Sequence, residues 1–177
     1  MTARAKRLVY GVATMRTILS ILMLTAGSLS SSAGAMTQED IEQSQYQLKR
    51  LVILQSTKDI DAARATAAAA AEALSLPLQL NDVEPHPTLG LSHSAQVCEA
   101  SGYSWPCYMP RGRHDDGAYI SIEHSSAFET FAEGYFIVVA ASAAGRDPVI
   151  RRTLRAAKGQ WPTAYSKQTS VYVGCMR

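Results

Sequence analysis

The densest group of residues able to do acid–base or metal chemistry is Arg111-Gly-Arg-His-Asp-Asp-Gly117, with Glu123 and His124 a few positions on. Carboxylates beside imidazoles are what a general acid–base site or a cation site is made from. The separations match no metal-ligand motif, and neither a C-x-x-C pair nor a His pair at zinc spacing is present. A charged turn accounts for the cluster better: Asp116-Gly117 ends a loop just before a strand. Arg111 and Arg113 would then pair with Asp115 or Asp116 and hold the loop down, or bind an anionic group on a ligand or partner. His124 follows an outward-facing Glu123 and reads as a capped histidine at a strand end. Ser121, Ser125 and Ser126 lie near it, but the nucleophile-elbow sequence is missing. A hydrolase built on Glu123 and His124 is therefore a minor reading. The chain is expected to be non-enzymatic, with no cofactor and no metal.

A second set of residues suits recognition instead. Cys98 and Cys107 bracket Glu-Ala-Ser-Gly-Tyr-Ser-Trp-Pro, a loop rich in turn formers. A disulfide between them would close a short ring and stabilise by roughly 2–3 kcal/mol in the chain-entropy view. Tyr103 and Trp105 sit on that ring, and aromatics on a constrained exposed loop commonly anchor recognition. With Arg111 and Arg113 they form a candidate partner-binding surface. Cys175 is left as the odd thiol.

The elements that must carry these residues follow from periodicity. Leu51 to Ser56 is a first strand. Ser56 to Asp59 resembles a capping box for an Ala-rich helix through Leu74, whose packing stripe is Ile60, Ala63, Ala67, Ala70 or Ala71, and Leu74. Pro77 ends that helix. Residues 77–117 then form a long, mostly structureless insertion, a length that is uncommon unless functional. Ala118 to His124 alternates cleanly, with Ile120 and Ile122 on one side and Tyr119, Ser121 and Glu123 on the other. Tyr135 to Ala141 is a buried strand. Asp147 caps a helix opened by Pro148 and ended near Gly159. Arg151, Arg152 and Arg155 make its solvated face, and Trp161 covers the core. Ala164 to Val173 is the last strand. The order β-α-β-β-α-β with right-handed crossovers predicts a ferredoxin-like α+β domain. It would have a four-stranded antiparallel sheet, two helices on one face and a disulfide-containing insertion after the first helix.

Residues 1–35 read as a secretory leader. Arg4, Lys6, Arg7 and Arg16 precede an apolar run from Thr17 to Leu29, and Ala33 and Ala35 supply small residues for cleavage after Ala35. Left uncleaved, the segment would be the chain's one contact with a membrane. Residues 36–49 are a polar tether, and 50–176 the domain. Removing the leader's four basic residues from the 17 Lys and Arg leaves 13 against 15 Asp and Glu, a net charge of −2. A nucleic-acid partner is not indicated. Export to the periplasm, or secretion, agrees with the cystine.

If Val52 and Leu54 pack on the helices, Gln55 faces away. Val171 and Val173 would pack inward as well. The far face of the sheet is then open and polar, carrying Gln55, Tyr119, Ser121, Glu123, Ser166, Gln168, Ser170 and Tyr172. Amides, hydroxyls and flat rings with little charge suit a polar, uncharged polymer such as a glycan.

The run Val52-Ile-Leu-Gln-Ser-Thr57 with its Ala-rich helix, Tyr135-Phe-Ile-Val-Val-Ala140 with the following helix, and the return Ala164-Tyr-Ser-Lys167 together resemble the SPOR family, the sporulation-related repeat. The resemblance covers roughly 50–76 and 118–173, and the insertion departs from it. It implies binding of peptidoglycan glycan strands stripped of stem peptides, on the sheet and without chemistry, with Gln55, Tyr119, Ser121, Glu123, Gln168 and Tyr172 as the contacts. An envelope protein partner met by residues 98–117, as an interaction or inhibitor module, is the alternative. The cysteine reading carries its own check. Thiol titration of the denatured, unreduced mature protein should find one free thiol; finding three would refute the disulfide.

Overall fold

The computed structural model describes Thr37 and residues 42–174. The leader, its cleavage point after Ala35, residues 36 and 38–41 of the tether, and Cys175 lie outside the described residues. No described helix is long and apolar enough to cross a membrane.

The protein is mixed α+β. Strand β1 (Tyr46–Thr57) leads into helix α1 (Ile60–Leu74). The insertion then adds a small hairpin, β2 (Glu84–His86) with β3 (Gly90–Ser92), and a short helix α2 (Ala95–Ala100). Strands β4 (Gly117–His124) and β5 (Phe136–Ala144) follow, then helix α3 (Pro148–Ala157) and strand β6 (Tyr165–Tyr172). The main sheet runs β4-β5-β1-β6 and is antiparallel throughout, an order compatible with the ferredoxin-like class.

Local chemistry explains the helix ends. Asp59, not Ser56, caps α1: its carboxylate accepts from the amides of Asp61 and Ala62. Asp147 caps α3 in the expected way, with Pro148 in the first turn. The alanine stripe also holds. Ala63, Ala67 and Ala70 are buried against Val52, Leu54, Ile120, Ile122 and Val138, and Ile150 and Ala157 of α3 join the same core. Small side chains let α1 lie close on the sheet.

The tether ends earlier than expected. β1 begins at Tyr46, because its polar first turn finds a partner: Tyr46 pairs with Tyr172 and Lys49 with Thr169. The insertion is not structureless either. The backbone of Ile120 on the outer strand bonds to Pro77 and Gln79, so the insertion first covers the free edge of β4.

The sequence predicts an open far face. It is not open. Leu51, Ile53, Ile137, Val139 and Val171 form a second core there, closed over by Phe128 with Phe131 and Tyr135 beside it. Val171 belongs to this core, because Lys49, Leu51 and Ile53 pair with Thr169, Lys167 and Tyr165 across the β1–β6 ladder and set the parity of β6. Residues 125–134 thus form a lid over one end of the face. Lys167 holds it by donating to the carbonyl of Thr130, and Thr130 Oγ1 donates to the carbonyl of Gln168 at 3.0 Å.

Phe128 is 2 % exposed. Phe128→Ala should cost about 3–5 kcal/mol. Urea unfolding checks this, and a change under about 1 kcal/mol would mean the second core is loosely packed.

Candidate functional site

The other end of the far face is closed by residues 111–116, which cross the sheet as a strap. Gly112 makes the crossing. Its φ of +88° suits glycine, and a Cβ added there would meet Val171, Lys49 and Ser142 at ordinary contact distance. Lys49 on β1 pairs with Asp116 at 2.7 Å. Asp115 accepts from the Gly112 amide at 3.0 Å and from the Tyr119 hydroxyl. Arg113 reaches the carbonyl of Gly174 and lies over the Tyr172 ring. The expected Arg–Asp pairing within the cluster does not form; the aspartates anchor to Lys49 and Tyr119 instead.

Arg111 is the hub and is 2 % exposed. Nε donates to Ser142 Oγ at 3.0 Å. Nη1 donates to the Tyr119 carbonyl at 2.6 Å, the Val139 carbonyl at 3.1 Å and Ser121 Oγ at 3.2 Å, and Nη2 donates to the Gly117 carbonyl at 2.9 Å. The guanidinium lies 3.4 Å from the Tyr119 ring centroid. The β4–β5 register shifts between Ala118 and Ser121, which turns the Tyr119 carbonyl from the ladder toward Arg111. Burial lowers the Arg111 pKa from its usual value, and nearby Tyr119, Glu123 and Asp115 oppose that.

Glu123 is buried beside this hub without a direct ion pair among the described residues. Its Oε2 accepts from the Tyr108 hydroxyl at 2.6 Å and the Arg111 amide at 3.2 Å. The Tyr108 hydroxyl in turn accepts from the His124 amide at 3.0 Å. Burial raises the Glu123 carboxyl, and the hydrogen bonds from Tyr108, Ser121 and the Arg111 amide hold it back only in part. Burial and the adjacent Glu123 also push the Tyr108 phenol well up, and burial pushes the Tyr119 phenol up.

Beside the hub opens a cleft of about 550 Å³ lined by insertion residues, among them Asn81, Asp82, His93, Val97, Met109 and His114. A polar pocket of about 30 Å³ shares Asn81, His93, Met109 and Asp115 with it and leads back to Tyr108 and Glu123. That volume suits about one water. His93 is buried with its Nδ1 3.1 Å from the Asn81 carbonyl and its Nε2 3.5 Å from the Met109 amide. Both ring nitrogens therefore have partners.

The six residues expected to meet a glycan do not share one exposed surface. Tyr119, Ser121 and Glu123 do face away from the helices, but they are buried under Arg111. Gln55 sits at a bulge opposite Val138 of the helix-side core. Gln168 pairs with Arg50, on the parity of Val52, so it lies on the helix side. Tyr172 ends β6 with its ring against Tyr46.

The partner-binding set divides as well. Cys98 and Cys107 are bonded, with Cα atoms 5.8 Å apart. Trp105 stands 56 % exposed, its ring edge-on to His86 at 5.4 Å, and Tyr103 is half-buried. Arg111 is unavailable to any partner, and Arg113 is half-buried.

Glu123 and His124 do not meet. His124 faces the opposite way, over Phe136, and its ring fills the space where a Cβ on Gly90 would stand. Its Nδ1 lies 2.6 Å from Ser126 Oγ and caps the short turn Ser125–Ala127, and burial lowers its pKa. Among the described residues no cluster of His, Cys, Asp and Glu could hold a metal ion.

Sequence reasoning had no signal for the second core or the buried hub. Phe128, Phe131 and Tyr108 could have been flagged only as apolar residues without a role. No family model, curated protein or solved structure matches the chain.

The raised Glu123 pKa has a definite sign in stability. An acid whose folded pKa exceeds its unfolded value contributes fully below the unfolded value and loses that contribution as pH rises through the folded one. Glu123→Gln cannot titrate. The stability of wild type relative to Glu123→Gln should therefore fall as pH rises above the unfolded carboxyl value of about 4, as measured by urea unfolding across a pH series. A relative stability that rises with pH would show that the carboxylate is favoured in the fold.

Proposed function

We propose that the chain is an exported, non-enzymatic recognition module that contacts another protein of the cell envelope through its insertion, residues 77–117. The observation that carries this reading is the presentation of Trp105. It stands exposed on a loop closed by Cys98–Cys107, seated on the β2–β3 hairpin through His86 and tied to the sheet through Tyr108 and Arg111. A large, rigid aromatic loses little entropy on binding, so it makes an effective anchor. The disulfide supports an oxidising compartment.

The strand order is compatible with a ferredoxin-like domain. The insertion is favoured over the sheet as the contact surface, because a glycan strand would need the face that Arg111 and Phe128 occupy. The hydrolase reading loses support for a similar reason: Glu123 lies behind the strap and His124 on the other side of the strand.

Two captures separate the readings. Protein with its cystine intact should retain an envelope protein from periplasmic extract, and Trp105→Ala should weaken that retention by about tenfold or more. Gln168→Ala should leave it unchanged. Binding to amidase-treated sacculi that Gln168→Ala abolishes and Trp105→Ala spares would overturn the proposal in favour of glycan strands.

A further inference from the structure

A cleft of about 480 Å³ lies on the helix side, far from the insertion in sequence, where β1, the β5–α3 turn and the first turn of α3 meet. Three arginines from these elements line it: Arg50, Arg146 and Arg151. Its apolar wall is Ile150 and Leu154. We propose that this cleft binds a phosphate group carried on a small organic body or a lipid headgroup.

The lining of the cleft carries an excess of positive charge. Arg50 comes from a buried strand and is half-buried. Its guanidinium is aimed by two neutral acceptors, Gln168 Oε1 at 3.3 Å and Ser166 Oγ at 3.5 Å. Those contacts orient the fork and leave its charge intact. The ion pairs among the described residues are Lys49–Asp116 and Arg64–Asp61, so none of the three arginines is paired with a carboxylate. Asp147 also lines the cleft, with its carboxylate turned to the Val149 amide at 2.8 Å as the cap of α3, so three guanidinium charges face one carboxylate. The helix end is therefore already satisfied and is not the attractant.

Three like charges around one concavity repel one another, and an anion between them relieves that. Guanidinium forks match phosphate geometry, and a site with an oriented arginine and an apolar wall suits a phosphate attached to carbon better than a bare ion. The volume is in the range of small-ligand sites. Arg151 and Arg146 are exposed, which fits a mouth open to solvent; Arg50 forms the back. The reading of Arg151 as only a solvated helix face accounts for its exposure but not for its place in one cleft with Arg50 and Arg146. This inference does not depend on the Trp105 surface.

The test is a titration of purified, cystine-intact protein followed by amide chemical shifts, with inorganic phosphate, glycerol phosphate and, as the ionic-strength control, sodium chloride. Saturable shifts in residues 145–151 with glycerol phosphate, absent with chloride, are expected. Arg50→Gln and Arg151→Gln should each raise the Kd by about tenfold, and Lys158→Gln should not. Co-sedimentation with phosphatidylglycerol vesicles that is lost in Arg151→Gln would support a lipid source of the phosphate. Soluble binding without co-sedimentation would support a small-molecule source. The proposal is overturned if shifts match the chloride control and vesicles fail to bind, or if the arginine variants bind as well as wild type while remaining folded by the same spectra.

Discussion

Arg111 takes a guanidinium to a place almost closed to solvent, and the far side of the sheet is built to receive it. Its donors go to three backbone carbonyls and two serine hydroxyls, on both β4 and β5. A buried guanidinium is tolerable only when its hydrogen bonds are made. The β4–β5 register shift supplies one of those carbonyls by turning it out of the ladder. Strap, register and edge strand are thus one arrangement. Leaving the carbonyls without donors would cost about 1–3 kcal/mol for each group left bare.

That arrangement turns a two-layer domain into one with its sheet covered on both sides. The helix side is filled by alanines and β-branched residues. The far side is filled at one end by Phe128 and at the other by the strap. A covered sheet has no free face for recognition, so exposed chemistry is moved to the periphery. Among what remains outside are the cystine loop with Trp105, the cleft beside His93, and the arginines at the start of α3. The cystine matters here as a local constraint. It ties a short ring whose own packing is thin, while Tyr108, the residue after Cys107, enters the buried network through Glu123.

Much of the fold was legible in the residues. Asp147-Pro148 marked the start of α3, the alanine run marked α1, and the alternation of Ala118 to His124 set the correct sides for Ile120 and Ile122. The site was legible in identity more than in role. Arg111, Tyr119, Ser121 and Glu123 were all singled out, and three of them do face away from the helices. They were read as exposed because polar residues on a strand face usually are, and nothing local announces that a loop arginine will fold over them. The parity of β6 failed for a related reason. Val171 was assigned to the only core then in view, and the second core arises from Phe128, which is distant in sequence.

Periodicity, capping and turn chemistry act over a few residues, and they settle where each strand and helix begins, which side of β4 is apolar, and that Cys98 and Cys107 can close a ring. Which polar groups end up dry is a different matter. It depends on where residues 111–116 and 125–134 come to rest on the sheet, and those positions are set by contacts such as Lys49 with Asp116 and Arg111 with Val139, between partners tens of residues apart. Burial is a property of the assembled chain, so the tertiary structure alone decided that a face of hydroxyls and carboxylates would serve as the seat of a strap.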